Sequence, residues 1–209
     1  MSTELSGLSA LQDIRKMMEK SSRFISLSGW SGVGAGACAL AGAWLASNRI
    51  GEYYSVDYGS AAPCIDCLKS DLVKIAGGVF IVAVLIAFLF TYARSRREGV
   101  AIWGNTARRL MWNTLLPMAA GGIFILRLME LKQYTLVAPA SLIFYGLALV
   151  NGSRFTLGEI KWLGYAQILT GIISLWIPRS GLPAWAFGFG ILHIVYGFAM
   201  WWKYERNKS

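Results

Sequence analysis

The chain has 209 residues, of which 56% are hydrophobic and 15% charged, with nine Trp, three Cys, one His and a formal charge of +9. That balance excludes an ordinary soluble domain, whose core has no use for so much apolar side chain, and a disulfide-dense secreted scaffold. It points to a chain that uses lipid as its solvent.

A bilayer core of about 30 Å requires ~20 apolar residues per helix at 1.5 Å rise. Before the first such stretch, residues 1–23 place Leu8, Leu11, Arg15 and Met18 on one helical stripe, with Ile14 and Met17 beside it and Ser6 or Ser9 as N-cap. This predicts an amphipathic cytoplasmic helix. Its basic residues Arg15, Lys16, Lys20 and Arg23 suit anionic lipid headgroups, and its apolar face equally suits a membrane or cytoplasmic protein partner.

The first apolar stretch, Phe24 to Ser47, exceeds the core length of a signal peptide and is expected to stay in the mature chain as a membrane helix. Ser28, Gly32 and Gly36 recur at four-residue spacing, with Ser31, Ala35 and Ala39 on the adjacent stripe. Small residues so spaced allow two helix backbones to approach closely, either within the chain or across a homodimer seam. Gly77 and Gly78, Gly121 and Gly122, and Gly188 with Gly190 suggest further close contacts.

In the following loop, Cys64 and Cys67 form a CxxC pair. Pro63 suits the first position of a helix, which would place Cys64 where the dipole and free N–H groups favour a thiolate. Two uses are open, a structural disulfide and a redox pair. The arrangement loosely resembles the membrane thiol oxidoreductases that pass electrons from such a pair to quinone. Those usually carry a second pair, whereas the other cysteine here is Cys38, within the first membrane helix. Asp66 between the thiols opposes thiolate formation. No metal site is expected, since no His lies on that side to complete tetrahedral zinc.

Further membrane stretches follow at Lys74 to Ala93, Trp112 to Leu131, Tyr134 to Asn151, Ile160 to Pro178 and Pro183 to Trp202, ending in a basic tail, 203–209. Near the end of the third, Arg127 and Glu130 share a helix face and can pair, as an interfacial anchor or as an outer-leaflet site for an anion or quinone. His193 lies about 15 Å along the sixth stretch from Pro183, near the midplane. Tyr145 and Gln167 fall within about one turn of that level, so a buried polar layer is expected, serving as interhelical hydrogen bonds or as a proton or ligand site.

None of the six stretches alternates as a transmembrane β-strand would, so the expected fold is all-α, a polytopic bundle of six membrane helices spanning 24–202. Fourteen Lys and Arg fall on the side of the two termini: Arg15, Lys16, Lys20, Arg23, Arg94, Arg96, Arg97, Arg108, Arg109, Arg154, Lys161, Lys203, Arg206 and Lys208. Six fall on the other: Arg49, Lys69, Lys74, Arg127, Lys132 and Arg179. Both termini are therefore expected in the cytoplasm. The positive charge is a topogenic signal, and it removes the case for nucleic acid as a partner.

The runs LSALQDIRKMMEKSSRFISLSG, from Leu8 to Gly29, and GFGILHIVYGFAMWWKYE, from Gly188 to Glu205, resemble a group of small bacterial polytopic inner-membrane proteins of uncharacterised role. The resemblance implies a multi-pass protein of the inner membrane and carries no activity or cofactor. Walker, dinucleotide, HExxH and GxSxG patterns are absent. The expectation is a non-enzymatic membrane protein that binds a ligand or partner or senses through its bundle. The alternatives are a thiol–disulfide oxidoreductase running on Cys64 and Cys67 and a small-molecule transporter with its site at the polar layer.

Overall fold

The computed structural model describes residues 29–55, 64–98, 103–204 and 206. Among these the chain is all-helical: α1, Gly29–Ser55; α2, Ile65–Glu98; α3, Asn105–Glu130; α4, Val137–Gly152, entered through a 3₁₀ turn at Tyr134–Leu136; α5, Ile160–Trp176; and α6, Gly181–Tyr204. Four are long and apolar enough to cross a membrane: α2, α3, α4 with its 3₁₀ turn, and α6. The amphipathic segment expected over 1–23, and Ser28, lie outside the described residues.

The helices extend beyond the apolar windows. α1 continues to Ser55, eight residues past the expected end, α2 begins nine residues before Lys74, and α3 begins seven before Trp112. Charged residues such as Arg49, Glu52, Asp71 and Arg109 are therefore helical, because a helix satisfies its backbone whether lipid or water surrounds it.

α1 packs against α6, α6 against α4 and α5, and α4 and α5 against each other. α2 packs along α1, and α3 along α4. Glycines set the close approaches. A Cβ on Gly36 would lie 2.7 Å from the Gly190 carbonyl oxygen, and one on Gly197 would lie 2.6 Å from that of Gly29. Gly146 and Gly164 face each other across α4 and α5, each with the other's carbonyl within 2.8 Å of where a Cβ would sit. The Gly32 and Gly36 face of α1 is thus filled by α6 of the same chain. Gly121, Gly188 and Gly190 also sit in close contacts, but Gly77, Gly78 and Gly122 have nothing within 4 Å. That corrects the expectation for these three, which lie on outward faces of α2 and α3.

Pro117 interrupts α3. Having no N–H, it leaves the carbonyl of Asn113, one turn earlier, without its helical donor. Asn151 of α4 donates its side-chain amide to that oxygen at 2.8 Å. The replacement bond fixes α3 on α4 where the backbone ladder is broken.

Candidate functional site

The polar layer is assembled around an irregularity in α6. Residues Ala186–Leu192 are wound as a π-helix, with regular helix on either side. Such single-turn insertions redirect the side chains and carbonyls that follow and recur at functional sites. Gly188 and His193, five residues apart, are stacked by this wide turn, and His193 Nδ1 lies 3.0 Å from the Gly188 carbonyl oxygen. Gln167 from α5 donates its Nε2 to the same oxygen at 2.8 Å. Tyr145 from α4 reaches His193 Nε2 at 2.8 Å.

With a neutral ring these distances are satisfied when His193 Nδ1–H donates to Gly188 and Nε2 accepts from the Tyr145 hydroxyl. Gln167 Nε2 also lies 3.3 Å from His193 Nδ1, but both atoms then carry hydrogen and that approach is not a bond. Gln167 is fully buried, and its Oε1 has no hydrogen-bond partner. Turning the amide over would set Oε1 against the Gly188 oxygen, so the orphan acceptor is the less costly orientation. Phe189 closes the layer, its ring 5.1 Å from Tyr145 and 5.1 Å from Trp185. The structure therefore brings Tyr145, Gln167 and His193 together in one network on three helices.

Cys64 and Cys67 are joined in a disulfide. Cys64 immediately precedes α2, its carbonyl accepting from Leu68 N–H at 3.2 Å, and Cys67 N–H points at Cys64 Sγ at 3.1 Å. Pro63, expected at the first helical position, lies outside the described residues. Asp66 is paired with Lys69 at 3.0 Å, which offsets its repulsion of a thiolate. Lys69 also lies over the Tyr134 ring, 4.9 Å from its centroid, so the first turns of α2 touch the entry of α4.

Arg127 and Glu130 pair at 2.8 Å with both side chains about two-thirds exposed. They stand apart from the polar layer. Among the described residues, no group of three or more His, Cys, Asp or Glu is placed to hold a metal ion.

A polar cluster at the opposite end of the bundle from Cys64 has no counterpart in the sequence reading. Glu159 Oε1, just ahead of α5, accepts from Lys203 Nζ at 2.6 Å and from the Tyr204 hydroxyl at 2.5 Å. Burial pulls the carboxyl upward, but the bonds from Lys203 and Tyr204 prevail and hold its pKa down at about 2. The signal available was a lone acid in a basic loop. Its partners lie more than forty residues away.

No protein-family model, curated protein or solved structure matches this chain.

Proposed function

We propose that this is a bacterial multi-pass inner-membrane protein that acts without catalysis, binding a partner or ligand and sensing through its bundle. In this reading six helices cross the bilayer, α1 and α5 included, and both termini face the cytoplasm. The charge alternation supports the orientation: the cluster at Glu159, Lys203 and Tyr204 falls on the side richer in Lys and Arg, and the Cys64–Cys67 disulfide on the other.

The observation that carries the reading is the division of the bundle. α1, α4, α5 and α6 interlock through backbone-to-backbone glycine contacts and the polar layer, whereas α2 packs chiefly along α1 and α3 along α4, meeting glycines through side chains. Helices held on one side leave long faces for another membrane protein, and they can shift without unpacking the core. Residues 1–22 supply a second contact, to anionic headgroups or a partner at the cytoplasmic surface.

The test compares the full chain with one lacking residues 1–22 in cells of the source organism, by cross-linking followed by size analysis in detergent. Truncation is expected to abolish or change the higher-mass species while the bundle stays folded. Unchanged association, or sustained turnover of dithiols with quinone by the purified protein, would refute the reading.

The polar layer supports a second reading, a transporter with its site at the midplane. The orphan oxygen of Gln167 beside a π-wound segment is the specific observation in its favour. Solvent reaching His193 in the folded protein, detected by its reaction with a small water-soluble imidazole reagent, is the result that would favour it.

A further inference from the structure

We propose that the Cys64–Cys67 disulfide is a thiol–disulfide exchange site that takes two electrons from a dithiol outside the cytoplasm. A structural bridge earns its place by joining distant segments, and this one joins neither two helices nor two loops. Cys64 immediately precedes α2 and Cys67 lies in its first turn, where the helix already holds them close. Closing so short a loop constrains the unfolded chain little. The bridge is also open to solvent, as both residues are exposed.

The surroundings favour one direction of attack. The Cys67 N–H is aimed at Cys64 Sγ at 3.1 Å, and the positive end of α2 adds to it, so negative charge is best accommodated on Cys64. Asp66, the one acid in the turn, is engaged by Lys69.

An incoming thiolate therefore attacks Cys67 Sγ. The Cys64–Cys67 bond breaks, a mixed disulfide forms between the donor sulfur and Cys67, and Cys64 leaves as a thiolate. The donor's second thiolate then attacks the donor sulfur of that mixed disulfide and releases Cys67. The donor is oxidised to a disulfide and the pair is reduced by two electrons, its thiolates taking protons according to their pKa values.

Cys38 is the only other cysteine in the chain and has no second thiol to relay with. The exchange is accordingly stoichiometric, one dithiol oxidised for each pair reduced. Lys69, two residues after Cys67, rests its ammonium on Tyr134 at the entry to α4, so the pair lies against the bundle.

The test uses the full chain in lipid nanodiscs, with Cys38 replaced by Ala and dithiothreitol as donor. Free thiols are counted by maleimide mass shift under native conditions, and near-ultraviolet circular dichroism reports folding. Complete, reversible reduction of the folded protein is expected. With Cys67→Ser and Cys64→Ser introduced separately, Cys64 should alkylate with iodoacetamide at neutral pH about tenfold faster than Cys67. A bridge that resists dithiothreitol until the protein unfolds, or a Cys64 no faster than Cys67, overturns the proposal. Neither assay involves a partner, so failure here leaves the binding reading standing, and loss of that reading leaves the exchange site.

Discussion

α2 and α4 are both apolar enough to span a membrane, and they are built on opposite principles. α2 contains the most apolar membrane-length stretch of the four, and no residue of that stretch is buried within the protein. The corresponding stretch of α4 is less apolar, yet a third of it is buried. Its interior contacts are made by Pro139, Ala140, Leu142, Gly146 and Ala148. In water the apolar helix would be the buried one. In lipid apolarity marks the face turned to the solvent, and small residues mark the face turned to the protein. Phe80, Ile81, Leu85, Phe88 and Leu89, each more than half exposed, are α2's lipid-facing residues under this account.

The strongest way to break the contrast is to put the same substitution in both regions. Gly146→Leu forces a side chain into the Gly164 backbone and is expected to cost 3 kcal/mol or more, read as loss of the folded monomer in thermal unfolding. Gly77→Leu in α2 meets open space and should stay within about 0.5 kcal/mol of the parent.

Next comes the Glu159 clamp. Its folded-state pKa is depressed below the ordinary carboxyl value, so its contribution is fully present above about pH 4.5 and is lost as pH falls towards 2. Allowing for the solvent that reaches the carboxylate, that contribution is about 1–2 kcal/mol. Glu159→Gln should lower the unfolding temperature at pH 7 and flatten its fall over that acidic window. An unchanged acid profile would show that the clamp contributes nothing.

Asn151→Leu leaves the Asn113 carbonyl without a donor beside Pro117 and is expected to cost about 1 kcal/mol. Restoring the backbone donor with Pro117→Ala should cancel most of that loss, and a double-mutant cycle measures it. The smallest expected effect is Tyr145→Phe, about 0.6 kcal/mol for one interhelical hydrogen bond in the membrane. A loss several times larger would mean that the polar layer is a cooperative unit.

The helices were legible in the sequence because hydrocarbon thickness dictates their length, and the polar layer because rise per residue places Tyr145, Gln167 and His193 at one depth. Depth could not reveal rotation about each axis, so Gly77 and Gly121 looked alike although only Gly121 meets a neighbour, Phe144. The apolar stretches of α1, α2 and α3 fall short of the helices because polar residues such as Glu52 mark the edge of the hydrocarbon and not the end of the helix. The π segment leaves no periodic trace in seven residues, and it is what turns the Gly188 carbonyl into the acceptor for both Gln167 and His193.

The most direct test is an accessibility scan of α2. Spin labels are placed singly at positions 79 to 90 in protein reconstituted into liposomes, on a background with Cys38, Cys64 and Cys67 replaced by serine. High access to oxygen and low access to a water-soluble nickel complex are expected at every position turned away from α1, with protection where Val79 and Ile86 face Gly42 and Gly34. Ready access of the nickel complex across those positions would contradict a membrane-spanning, lipid-facing α2.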